Sequence, residues 1–127
     1  MSDKSIAEKL LIKPGRSIYL VNAPRGYAAR LAPLPDGVKR VKTPTAPIDL
    51  IQVFVANRAE LEAQLPALKP LLTPNGLLWV TYTKGTSKIK TDINRDTINA
   101  YAATLGLQGI AMISIDADWS ALRLKVV

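Results

Sequence analysis

Residues Ile48–Val55 read Ile-Asp-Leu-Ile-Gln-Val-Phe-Val, "IDLIQVFV", and are apolar almost without interruption. Successive side chains of a strand point to opposite faces, so a run that is apolar on both parities predicts a central strand covered on both sides. Leu77–Tyr82, "LLWVTY", repeats the pattern. Between the two runs, Asn57-Arg-Ala-Glu60 is a helix-start signal, and Leu61, Leu65, Leu68 and Leu72 recur at helical spacing. Pro66 and Pro70 fall inside that helical pattern, which predicts a kink or two abutting helical pieces. Pro74-Asn75-Gly76 closes it ahead of the second strand.

Upstream, Ser5-Ile-Ala-Glu8 has the form of a capping box, so a short helix is expected to run to Leu11, where Pro14-Gly15 stops it. Ser17–Val21 reads as a buried strand, Tyr27–Leu31 as one helical turn or two, and Val38–Thr43, "VKRVKT", as a weakly alternating strand. Downstream, a basic loop Lys84–Lys90 leads to a helix over Arg95–Leu105, with Ile98, Tyr101, Ala102 and Leu105 on one face. Gly106 suits the left-handed position after it. Ile110–Ile115 and Ala121–Val127 flank "DADWS" and predict an antiparallel hairpin. The whole order, over residues 1–127, predicts one α/β domain of three layers, its sheet mostly parallel with an antiparallel C-terminal hairpin.

Composition narrows the chemistry. The 127 residues are 48% hydrophobic and 21% charged, as in an ordinary globular protein with a real core. The opening "MSDKSIAEKLLIKPG" lacks a signal-peptide core, and no run approaches the roughly 20 apolar residues that span a bilayer. A cytoplasmic protein without membrane contact is therefore expected. There is no cysteine and no histidine, which removes disulfides, thiolate nucleophiles, Cys/His zinc sites and histidine general bases. Seventeen Lys and Arg against 10 Asp and Glu give a net charge of +7, favouring an anionic small molecule or nucleic acid as partner. The charges are scattered along the chain, so solubility is the competing explanation.

Three phrases carry a family likeness. "LLIKPGRSIYLV" resembles the entry helix, Lys-Pro-Gly and first strand of the class I methyltransferases, which bind S-adenosylmethionine on a Rossmann-like sheet. "IDLIQVFV" resembles that family's fourth strand, and "LKPLLTPNGLLWV" its following helix, turn and fifth strand. The resemblance implies a Rossmann-like, truncated methyltransferase-like fold. It also implies where the cofactor would be held, and there the sequence departs. The family's acidic residue on the first strand falls on Leu20, and its three loop glycines fall on Asn22, Pro24 and Gly26. Only the last is a glycine. Pro24 adds a ring and removes an N–H donor, and Leu20 cannot orient a polar ligand. The segment "VKRVKTPT" has no carboxylate where the family binds ribose hydroxyls. Only Pro44–Pro47 separates it from Ile48, so the family's next helix and third strand have no residues to form them. Read this way the chain has no cofactor. It is similar over nearly its full length to a small group of uncharacterised bacterial proteins, catalogued as a domain of unknown function, with an "NAP-x-GY" loop, an "LPxG" turn and an "SK-x-x-TD-x-x-R" segment.

Two loops are candidate sites. Asn22, Arg25, Gly26 and Tyr27 follow a strand's carboxyl end, where α/β proteins place ligands; the first two could contact an anion and Tyr27 could stack on a ring. The competing reading is a tight turn that Gly26 permits. Lys84, Lys88, Lys90 and Arg95 are interleaved with Thr83, Thr86, Ser87 and Thr91 ahead of a helix N-terminus. Here a solvated loop competes on equal terms. Asp116 and Asp118 form an Asp-x-Asp, but a hairpin turn explains them without a metal. No catalytic residue is assigned. The expected function is anion binding at the strand carboxyl ends without methyl transfer. The alternatives are a scaffold that pairs with itself, as a homodimer, or with a full-length partner through its shortened sheet edge, or a small-molecule enzyme using Tyr27 and lysines.

Overall fold

The computed structural model describes residues 5–43, 47–84 and 91–127. The apolar run at 48–55 becomes β3 (Ile48–Phe54), and every one of its residues but Asp49 is buried. Parallel to it lie β1 (Ser17–Val21) and β4 (Leu72–Thr83), and β2 (Lys39–Val41) pairs parallel with the far side of β1. β6 (Trp119–Val126) runs antiparallel to β4 and carries β5 (Leu107–Ser114) as its hairpin partner. The sheet order is β2-β1-β3-β4-β6-β5. This is the three-layer, mostly parallel sheet with an antiparallel C-terminal hairpin that the pattern predicts.

Strand parity separates two cores. Val21, Ile51, Val53, Leu78, Val80, Leu122 and Leu124 face α3 (Arg58–Leu68) and α4 (Arg95–Thr104). Ile18, Leu50, Phe54, Trp79 and Ala121 face the short α1 (Ile6–Lys9) and α2 (Tyr27–Arg30). Trp79, 1% exposed, is a packing residue whose indole N–H donates to the Leu10 carbonyl at 3.0 Å.

The predicted capping box at Ser5 and Glu8 is present with both bonds. The helix after β3 runs through Pro66 and is followed directly by a 3₁₀ turn at Lys69–Leu71 that contains Pro70, two abutting helical pieces as the prolines predict. Pro66 cannot donate to the Glu62 carbonyl four residues back; the Tyr101 hydroxyl approaches that oxygen at 3.4 Å. Pro74-Asn75-Gly76 does not precede β4 but lies within it. Ile48 pairs with Leu72 and Leu50 with Leu77, so the intervening residues bulge out of the ladder. Among the described residues, no helix is long and apolar enough to cross a membrane.

Candidate functional site

In a parallel sheet the ligand crevice opens at the strand carboxyl ends, where the connections leave in opposite directions. Here that point lies between β1 and β3. The chain leaves β1 through Asn22 at φ 58°, a left-handed conformation asparagine tolerates, and turns again at Gly26, φ 84°. The Tyr27 amide donates to the Pro24 carbonyl at 3.0 Å, closing a tight turn. Gly26 then starts α2, a single turn of four residues with no side-chain cap. Arg25 is exposed.

Tyr27 is not at the surface. It is 2% exposed, and its ring packs edge-on against Phe54 at 4.7 Å between centroids, while Phe54 meets Trp119 at 5.2 Å. Its hydroxyl donates to Gln52 Oε1 at 2.9 Å, and Gln52 Nε2 donates to Thr81 Oγ1 at 2.9 Å. Burial drives the Tyr27 pKa up to about 12, against the opposing pull of Gln52 and Arg30. The expected stacking face is thus taken up by the core, and the hydroxyl is held as a neutral donor. Gln52 is the signal that marks this arrangement in the sequence: an amide inside an otherwise apolar central strand must find buried partners.

The second loop begins at Lys84, whose amide donates to the Asp118 carbonyl at 2.8 Å and whose Nζ donates to Ser114 Oγ at 2.6 Å. Lys88 and Lys90 lie outside the described residues, as do Thr86 and Ser87. From Thr91 onward the chain is tied to the end of β3. Thr91 donates to the Ala56 carbonyl at 2.7 Å, and Asp92 accepts the Arg58 amide at 2.8 Å. Asn94 caps α4 by accepting the Thr97 amide at 2.9 Å, and Thr97 Oγ1 accepts the Asn94 amide at 2.7 Å. The helix N-terminus therefore supplies its own acceptor, and Asp96 adds a carboxylate to the first turn. Arg95, exposed, stands 3.7 Å from Asp96. Lys84 and Arg95 share a depression with Tyr82, Asn94 and Met112.

Arg25 and Arg95 occupy the same edge of the sheet but belong to different faces, since α2 packs on one and α4 on the other. Their strands are separated by β3, a spacing of about 10 Å at ~4.8 Å per strand. Asp116 is a turn former. Its Oδ1 accepts the amides of Asp118 at 2.8 Å and Trp119 at 2.9 Å, and its Oδ2 pairs with Arg30 at 3.0 Å. Burial pushes its carboxyl pKa up, but those amides and the Arg30 guanidinium outweigh it and hold the group below its ordinary range. Among the described residues no three of Asp, Glu, His or Cys converge as metal ligands.

Solved structures place this geometry. A ribosomal protein L11 methylase from Lactobacillus delbrueckii subsp. bulgaricus superposes with a TM-score of 0.64 at 14% identity, over 94% of this chain and 73% of that one. A SAM-dependent methyltransferase from Aquifex aeolicus gives a TM-score of 0.67 at 12% identity, over 97% of this chain and 90% of that one. The fold is methyltransferase-like. Mitomycin 7-O-methyltransferase matches at a TM-score of 0.68 and 8% identity, over 89% of this chain, which spans about half, 49%, of that enzyme. At these identities the likeness is one of fold alone. No protein-family model and no curated protein matches the chain. Against the methyltransferase-like frame the sheet is truncated: β2 is a three-residue edge strand, and no strand lies beyond it among the described residues.

Proposed function

We propose that this methyltransferase-like domain does not transfer methyl groups and instead binds an anionic, phosphate-bearing ligand along the carboxyl edge of its sheet. The observation that carries this reading is the charge of that edge. Residues 17–35 and 37–48 hold no carboxylate, so neither β1 nor β2 ends in an acidic group for the polar parts of S-adenosylmethionine. Arg25, Lys42, Lys84 and Arg95 are cations near the ends of β1, β2 and β4, with Lys88 and Lys90 between the last two in sequence, and Asp92 and Asp96 beside Arg95 are the carboxylates they outnumber. The test is a calorimetric titration with S-adenosylmethionine and S-adenosylhomocysteine beside a thermal-shift screen with ADP and a short oligonucleotide. No heat is expected from the first two at millimolar concentration. A phosphate-bearing probe should raise the melting temperature, less so at high salt because exposed charges are screened over about 10 Å at 0.1 M ionic strength. The Lys88→Ala, Arg95→Ala double variant should abolish that rise. A micromolar constant for S-adenosylmethionine, or no probe shift that the double variant removes, overturns the reading.

A second reading rests on β5. This edge strand, "LQGIAMIS", carries no charge, and Ile110 and Met112 are 43% and 47% exposed. The opposite edge, β2, is short and bears Lys39 and Arg40. An uncharged, eight-residue edge with exposed apolar side chains is a surface for pairing, and a second copy presents a matching strand. The scaffold role follows from such a homodimer.

A further inference from the structure

The amino edge of the sheet, opposite the ligand crevice, contains a cavity of about 220 Å³. It lies where α1 hands over to β1, where β3 begins, at the bulge of β4, and beside the end of β6. One wall is apolar, from Leu11, Leu50 and Leu77; Lys13, Arg16 and Arg123 bring cations to the other.

The charges there do not balance. Asp49 is the only carboxylate in the lining, and it is already engaged. Its Oδ2 accepts the Ser17 amide at 2.9 Å and the Ser17 hydroxyl at 3.2 Å, and Arg16 stands 3.9 Å from its Oδ1. Among the described residues, neither Lys13 nor Arg123 makes an ion pair. Arg123 pairs with Trp79 across β4 and β6, flanked by Leu122 and Leu124, which pack on the opposite face. Its Nε is buried and has no hydrogen-bond acceptor among the described residues. A buried guanidinium N–H without an acceptor is rare enough in folded proteins to require a reason.

Leu11 is the second observation. The Ile12 amide donates to the Ala7 carbonyl at 3.0 Å and the Leu11 amide to the Glu8 carbonyl at 3.1 Å, the paired bonds of a Schellman ending to α1. Leu11 therefore sits where glycine is usual, at φ 64°, a left-handed conformation disfavoured for a side chain with a Cβ. A leucine held there places its side chain on the cavity wall. Backbone ease gives way to the shape of the cavity.

We propose that this amino-edge cavity binds a small organic anion, a carboxylate or phosphate head on a short apolar body. The head lies against Lys13, Arg16 and Arg123, and the body against Leu11, Leu50 and Leu77. The volume falls below the roughly 300–1,000 Å³ of drug-sized pockets, so the ligand is small. A nucleic acid would need an extended cationic surface rather than a part-apolar recess. The site is on the other edge from the anion crevice proposed above and does not depend on it.

The test is a nitrogen–proton NMR titration of the full chain with butyl phosphate, butyrate, inorganic phosphate and butanol. Saturable shifts are expected at the amides of residues 11–13, 15–17, 49–50 and 75–77 with butyl phosphate or butyrate, and the tighter of the two identifies the head. Inorganic phosphate should bind about tenfold more weakly or worse, lacking the apolar body, and butanol should not bind. Arg123→Met keeps the buried stem and removes the charge; it should weaken binding by about tenfold or more. Leu11→Gly supplies the residue the backbone prefers, so it should fold, lose affinity for the organic anion, and leave that for inorganic phosphate unchanged. Should Arg123→Met fail to fold, Arg16→Ala at the exposed rim is expected to weaken binding in the same direction. Arg95→Ala, at the opposite edge, should change nothing. The proposal is overturned if no probe gives saturable shifts at these amides, if inorganic phosphate binds as tightly as butyl phosphate, or if the opposite-edge variant abolishes the shifts.

Discussion

Gln52 and Tyr27 show how one buried amide organises its surroundings. The Tyr27 hydroxyl is the donor to Gln52 Oε1, and Thr81 takes the other end of the amide. Tyr27→Phe leaves that oxygen buried without its donor, and the expected loss of stability is about 1–3 kcal/mol, read by chemical denaturation. The same bond predicts a pH dependence. A free tyrosine ionises near 10, whereas burial holds Tyr27 neutral until about 12. The stabilisation from its neutral form is complete below pH 10 and is lost as pH rises from 10 to 12. An ultraviolet titration of tyrosinate should show a late step near pH 12 that is missing from Tyr27→Phe. If the variant keeps the late step, another tyrosine is responsible. The direction of this side chain was not legible in "NAPRGY", because two left-handed residues at the ends of the loop, Asn22 and Gly26, set the backbone path that leads to the ring. Its partner was legible, since a glutamine within "IDLIQVFV" cannot stay unpaired.

Signals of a few residues specify the helix starts. Ser5 with Glu8, and Asn94 with Thr97, form reciprocal caps from side chains three residues apart, and both were in reach of sequence reading in kind: the first as a box, the second as a helix start near Arg95. Asn94→Ala should cost about 1 kcal/mol by leaving the Thr97 amide without its acceptor, and Asn94→Asp should cost little, as measured by thermal unfolding. Equal stability of the two variants contradicts this account of the cap. Strand limits were less legible. Pro74-Asn75-Gly76 has the composition of a turn but bulges within β4, because Leu72 before it pairs with Ile48 and so extends the strand. Pairing is settled by a strand distant in sequence, and no window around the turn contains that information. The helical spacing of Leu61, Leu65 and Leu68 was sound because one helix face reports its own burial.

For the whole molecule, the order of central strands and the closing hairpin were legible in periodicity and the family likeness, while the placement of Arg25 and Arg95 on different faces was not. Both loops follow parallel strands and so share an edge, but which face each takes depends on where α2 and α4 pack. The cationic cavity at the amino edge escaped sequence reading because Lys13, Asp49, Asn75 and Arg123 are far apart in the chain. The exposed β5 edge leads to a prediction at this scale. Light scattering should find a dimer, and Ile110→Lys should shift it to monomer while leaving the melting temperature near its original value, since Ile110 is 43% exposed. A monomer across a wide concentration range removes the pairing role of β5.

The position of β6 bears on how the protein is made. It follows β5 in the chain, yet it lies between β4 and β5, filling an interior place in the sheet. A nascent chain that has emerged only as far as β5 offers β4 no antiparallel partner, and β5 no neighbour at all. Vectorial synthesis therefore cannot complete this sheet strand by strand; closure waits until residues 119–126 have left the ribosome. A ribosome stalled before that point should display a protease-sensitive chain, and one stalled well beyond it a resistant one.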